Sequence, residues 1–137
     1  MADTSFVSSQ GAYDNAILVQ TQLIDCVMHL FQQGFTPSPL STLADFAANE
    51  ADFDGYEPAE IAAWSNPVLA GTAWAIYAPT QTFRWTFSEG VGNMIAGYYL
   101  VTAAGDLKDY TVFNPAESAA GAGQAIIRTP VEVFPWG

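Results

Sequence analysis

The chain has 137 residues, 50% hydrophobic and only 12% charged, with 14 acids against Arg84, Lys108 and Arg128 and a net charge of −11. That length fits one domain able to bury a core without staples. The cations are few and scattered, which excludes nucleic-acid binding through phosphates and attachment to anionic membranes. Ordinary soluble domains carry roughly 25% charged residues, so this surface must be built mostly from Ser, Thr, Asn, Gln and backbone, which suits broad contact with other subunits.

Residues 1–12 are small and polar, with Gly11. They read as an N-terminal arm, frayed or docked on a neighbour; the domain proper is then 13–137. The start, "MADTSFVSSQGAYDNA", has neither a basic n-region nor an apolar h-region and is not expected to be a secretory signal. Apolar runs such as "MIAGYYLV" fall far short of the roughly 20 residues of a membrane span. Cys26 is alone, so no intrachain disulfide forms. Together these predict a soluble protein made in a cytoplasm.

Residues 13–33 fit two patterns. Ile17, Ile24, Val27 and Phe31 have helical spacing. Leu23 to Phe31 also fits a buried strand, with Val27, His29 and Phe31 on one face and Cys26, Met28 and Leu30 on the other. We expect a short helix near 13–19 and a strand from about Leu23 to Gln32, ended by Pro37 and Pro39 in "GFTPSP". "STLADFAAN" offers Ser41 or Thr42 as the N-cap of a short helix. "AEIAAWS" is a strand candidate, and "GTAWAIYAP" and "TQTFRWTFS" are the clearest two. In the latter, Phe83, Trp85 and Phe87 alternate with Arg84 and Thr86. "EGVGN" reads as a turn. "MIAGYYLVT" is apolar on both faces, as a central strand should be, and "AAGD" turns it into "LKDYTVFN". "PAESAAGAG" reads as a loop, and "QAIIRTPVEVFPW" closes the chain as a strand bulged or restarted at Pro130. Seven or eight short strands predict an all-β fold: a single-domain antiparallel β-sandwich or jelly roll with one or two short helices.

The acidic stretch "NEADFDGYEPAE" invites a calcium reading. In an EF-hand register Glu50, Asp52 and Asp54 take positions one, three and five, and Gly55 takes position six. The register fails at Ile61, where the bidentate Glu belongs, and Pro58 interrupts the latter half. A polar turn is the better reading, since Asp-Gly followed by Tyr and Pro is turn chemistry. Cys26 and His29 could pair as nucleophile and base, but a three-residue offset on a strand points them to opposite faces. One Cys and one His do not make a zinc site. No phosphate loop, nucleophile elbow or zincin helix is present in the sequence. Among so many acids some pair always lies at glycosidase separation, so that signal is empty. Trp64, Trp74, Trp85 and Trp136, with Tyr56, Tyr77, Tyr98, Tyr99 and Tyr110, read first as core or subunit contacts, and second as a sugar-stacking platform. No cofactor is expected. The terminal "VEVFPWG" puts Phe134 and Trp136 at the chain end, and with Phe6 of the arm they are the candidate protein-contact residues.

"MHLFQQGFTPSPLSTLADFAANEADFDGY" resembles a segment of small virion proteins of tailed bacteriophages. There a strand ending in Leu-Phe leads to a Thr-Pro loop, a Thr-Leu-Ala-Asp-Phe turn and a Phe-x-Gly-Tyr motif. "IAGYYLVTAAGD" resembles the matching hairpin. The carriers are Leu30, Phe31, Thr36, Pro37, Thr42 to Phe46, Phe53, Gly55, Tyr56 and Gly97 to Asp106. The resemblance implies a compact β domain on a phage particle, with no catalytic residues to carry over. It favours a head decoration (cement) protein on the capsid surface, a homo-oligomer, most favourably a trimer, whose partner is the major capsid protein or another virion protein. Within the motif, Phe53, Gly55 and Tyr56 are expected to anchor a turn while the surrounding carboxylates face solvent. The alternative is a tail- or fibre-associated module that binds host-surface glycan.

Overall fold

The computed structural model describes residues 3–84, 93–119 and 125–137. Helix α1 (Ser9–Gln22) opens the fold, capped by Ser8, whose Oγ accepts the Gly11 N–H at 2.9 Å. It is longer than the 13–19 helix expected and takes in part of the segment read as an arm. Its buried stripe is Ala12 and Ala16 with Val19 and Leu23 packed in line, spaced as one helical face. Two of these are alanines, so the apolar signal is weak, and the larger Ile17 and Leu18 are exposed. Leu23, expected to start a strand, instead caps the helix. Asp25, at φ 58, then turns the chain into β1 (Cys26–Gln32). The remaining arm is docked on its own chain: Gly137 N–H donates to the Val7 carbonyl at 2.9 Å.

After β1 come α2 (Leu43–Ala47), β2 (Ala59–Ile61), β3 (Val68–Leu69), β4 (Ala73–Tyr77), β5 (Gln81–Arg84), β6 (Asn93–Val101), β7 (Leu107–Ala119), β8 (Ala125–Arg128) and β9 (Val131–Pro135). Thr42 caps α2 in a reciprocal box with Asp45. The strands form antiparallel sheets ordered β2-β1-β6-β7 (sheet A), β3-β4-β9 (sheet B) and β5-β8 (sheet C). The fold is therefore an all-β sandwich. Cys26, Met28 and Leu30 of sheet A meet Ile76 of sheet B, Phe83 and Ile126 of sheet C, and Ala16 of α1 in one core. On the opposite face of sheet A, Phe31 and Tyr99 join Phe46 of α2 and the half-buried Phe35 in a second, smaller core. The two faces of β1 are those expected from alternation. No described helix is long and apolar enough to cross a membrane.

The chain departs from expectation at two places and meets it at a third. The strands in "GTAWAIYAP" and "TQTFRWTFS" follow one another but lie in different sheets; Trp85, Phe87 and most of the "EGVGN" turn lie outside the described residues. The chain does restart at Pro130, giving β8 and β9 in two sheets. Finally, "PAES" is not a loop, because β7 continues to Ala119. The ladder pairs Gly97 with Val112 and next Ile95 with Glu117, so residues 113–116 form a bulge without ladder partners on β6. Pro115 falls in that bulge, where its missing N–H costs no ladder bond.

Candidate functional site

The acidic stretch is stitched to β1. Ala51 N–H donates to Leu30 O at 2.9 Å, Gln32 N–H donates to Asn49 O at 2.8 Å, and Phe31 bridges Glu50. These bonds turn the Glu50 carboxylate over the outer face of sheet A. There it accepts from Tyr56 Oη at 2.6 Å, from His29 Nδ1 at 2.8 Å and from Tyr99 Oη at 3.2 Å. The His29 ring stacks on Tyr99 with centroids 4.8 Å apart and planes 7° apart. Because an ionised carboxylate only accepts, His29 carries its proton on Nδ1. Tyr56 Oη also accepts the Leu30 N–H at 3.1 Å, standing in for the strand neighbour that β1 lacks beyond the end of β2. Burial and the Glu50 charge both push the Tyr56 and Tyr99 hydroxyls up from the usual phenol range, so both stay donors.

The motif residues hold this turn. Gly55 takes φ 91, Tyr56 N–H donates to Phe53 O at 3.0 Å, and the Phe53 side chain is buried with its ring 5.3 Å from that of Tyr56. Asp52, Asp54, Glu57 and Glu60 are exposed, whereas Glu50 is half-buried and engaged. The expectation that the surrounding carboxylates all face solvent is thus corrected at Glu50. Among the described residues no group of three or more His, Cys, Asp or Glu is placed to hold a metal ion.

Cys26 is fully buried, and burial pushes its thiol up from the ordinary range. It faces the main core while His29 faces the other way, so the two form no nucleophile–base pair. An open cleft of about 580 Å³ lies between Ser38–Leu43 and Gly105–Tyr110. Its hydroxyls hold backbone: Ser41 Oγ accepts from Ser38 N–H, Ser38 Oγ from Leu40 N–H, and Thr42 Oγ1 from Asp45 N–H.

Asp109 also lines this cleft, and burial pushes its carboxyl up to about 6, against a smaller opposing effect of Lys108. Free Asp titrates near 3.9, so the folded state holds this proton more tightly than the unfolded chain. That stabilisation is complete below about pH 4 and is lost as pH rises through about 6. Asp109→Asn is expected to stabilise the protein by roughly 2 kcal/mol at pH 7.5 and by nothing measurable near pH 4, read from urea melts at both values.

The candidate contact residues divide. Phe6 is 74% exposed, at the end of the molecule where the arm meets Gly137. Phe134 and Trp136 instead turn inward: Phe134 packs against the main core and the Trp136 ring lies 6.1 Å from that of Trp74, which in turn meets Tyr13 of α1. The residues that face outward are their neighbours. Val131 and Val133 of β9, Val68 of β3 and Tyr77 of β4 are 39%, 56%, 45% and 40% exposed. One parity of β9 is Val131, Val133 and Pro135 and the other holds Glu132 with Phe134, so alternation alone would turn the Glu132 side outward, whereas that side faces in. As for a sugar platform, Trp64, Tyr98 and Tyr99 are buried and Tyr56, Trp74, Tyr110 and Trp136 half-buried; of the described rings in that set Tyr77 is the exposed one, and Trp85 lies outside the described residues.

No protein-family model matches the chain, no curated protein is similar enough to count as a relative, and no solved structure matches its fold. The class that its own geometry defines is an all-β sandwich with a helix packed on sheet B and one outer sheet face left apolar.

Proposed function

We propose that the chain is a structural, non-enzymatic subunit of a tailed-bacteriophage particle, most favourably a decoration (cement) protein on the head surface that bridges capsomers. One observation carries the reading: a chain of net charge −11 keeps an exposed sheet face with no charged side chain on it. Such a face is costly for a solitary protein and useful for one that works by covering surface. The polar groups best placed for chemistry fit the same view, since His29, Tyr56 and Tyr99 all hydrogen-bond to Glu50. A cement subunit acts by added contact area, at about 25 cal/mol per Å² of apolar surface removed from water, multiplied over many copies. The major capsid protein is the partner this role requires, and the capsid exterior its location.

Copy number tests the proposal. Purified particles should carry the chain in hundreds of copies by quantitative mass spectrometry, and lose resistance to heat or osmotic shock when it is deleted. A handful of copies per particle would move it to the tail; none would end the virion reading.

A further inference from the structure

The register of sheet B gives its outer face a definite relief. Ala73 and Ala75 lie along the middle strand, 8% and 1% exposed, with Tyr77 at their end. Val68 stands beside Ala75 on β3, and Val131, Val133 and Pro135 stand along β9 opposite Tyr77, Ala75 and Ala73. Residues paired across a ladder share a face, so the face is a shallow apolar trough floored by two alanines and walled by a valine–proline ridge. The trough and the ridge run side by side on one surface. A surface carrying both a ridge and a matching trough is complementary to itself when rotated by two-fold symmetry.

Charge selects the occupant. A basic partner would be drawn to the carboxylates, and this face has none to offer it: Glu132, the acid on β9, points to the inner side with Phe134 and opposite Ile76. A second copy at −11 is repelled wherever acids meet, and this face brings no like charges together. Size agrees. The exposed parts of these side chains come to on the order of 400 Å² of apolar surface. A standard interface takes about 800 Å² from each partner, about 65% of it apolar in homodimers. The patch therefore supplies most of the apolar core that pairing needs.

We propose that the outer face of sheet B binds the same face of a second copy of this chain about a two-fold axis, with the β9 ridge of each seated over the Ala73–Ala75 trough of the other. The sheets pack face to face at about 10 Å. This pairing rests on the same uncharged face that carries the virion reading.

Sedimentation equilibrium at about 100 µM, well above a micromolar Kd, should give the mass of two chains. Val133→Asp, which sets like charges against each other at the axis, should weaken association roughly a hundredfold. Val68→Asp, on the exposed edge strand, serves as a second variant, and circular-dichroism melts identify the variant that stays folded. Raising NaCl from about 50 to 500 mM should tighten the pair on the order of tenfold by screening mutual repulsion, whereas contact with a basic partner would loosen. A wild-type monomer, a three-chain mass, or a pair that survives the charge in a folded variant overturns the proposal. A wild-type monomer whose binding to particles is nonetheless lost in Val133→Asp assigns the face to a virion partner instead: the pairing fails and the structural role stands.

Discussion

Gly97→Ala is expected to destabilise the protein by about 3 kcal/mol or more, lowering Tm by about 10 °C or more or preventing folding. Gly97 lies in β6, the strand between β1 and β7, paired with Phe31 on one side and Val112 on the other. A Cβ at this position would come within 2.6 and 2.7 Å of two Phe31 ring carbons and would also run into the carbonyl oxygen of Thr111. Neither neighbour yields easily. Phe31 is fully buried, held edge-on by Phe46 and Phe35 at 5.3 and 6.0 Å, and the Thr111 carbonyl belongs to the paired strand. An aromatic ring laid over a strand glycine is a recognised way of filling the space its missing side chain leaves. Gly34 is the control. It has φ +100 but nothing within 4 Å of an added Cβ, so its replacement by Ala meets backbone strain alone and should cost only about 1 kcal/mol. Adding Phe31→Leu to Gly97→Ala should recover part of the loss, since the ring is removed and the Thr111 clash remains. Thermal melts decide the matter: a Gly97→Ala protein melting alongside wild type would show that the ring does not lie over this glycine.

Glu50→Ala is expected to cost about 3 kcal/mol, because it strands three donors at once, the half-buried His29 and Tyr56 and the buried Tyr99. The Glu50 and His29 side chains are 26% and 20% exposed, so water replaces the lost acceptor only in part. Glu50→Gln should cost about half as much: one oxygen is retained, but the amide NH₂ faces groups that are themselves donors. Tyr56→Phe removes the bond to Glu50 and the acceptor for the Leu30 N–H together, at about 1.5 kcal/mol. Glu50 and Tyr56 act through one bond, so the double mutant should fall short of the sum of the singles by roughly 1 kcal/mol. Urea melts of the four proteins give that coupling. Strict additivity would mean that the 2.6 Å contact contributes nothing to stability.

Much of the architecture follows from local pattern. Alternation along 26–31 assigns the two faces of β1 correctly, since a strand's side chains must alternate whatever it pairs with. The continuous apolar run of β6 marks a strand covered on both faces, Gly105 and Asp106 mark its hairpin, and Thr42 marks the start of α2 through the box with Asp45. Each of these signals spans only a few residues. The weak start of α1 was hidden for a related reason: its buried face is made of alanines, which carry little periodic contrast.

What the chain order does not contain is which distant segments meet. Strands β4 and β5 are neighbours in sequence, yet their partners β9 and β8 come from the far end of the chain. The inward turn of Phe134 and Trp136 depends on α1 and Trp74 being present to cover them, because their side of β9 also carries Glu132 and the opposite side is the more apolar one. Glu50 is the sharpest case. In sequence it is one of several carboxylates in a polar turn. Its three donors lie 6, 21 and 49 residues away, and only the pairing of segment 49–51 with β1 brings them together. Strand faces, turns and caps could be read from neighbouring residues alone, because they are properties of adjacent positions. Tertiary structure alone decided the sheet partners, the engaged carboxylate and the outward face of β9, which arise from contacts between segments far apart in the chain.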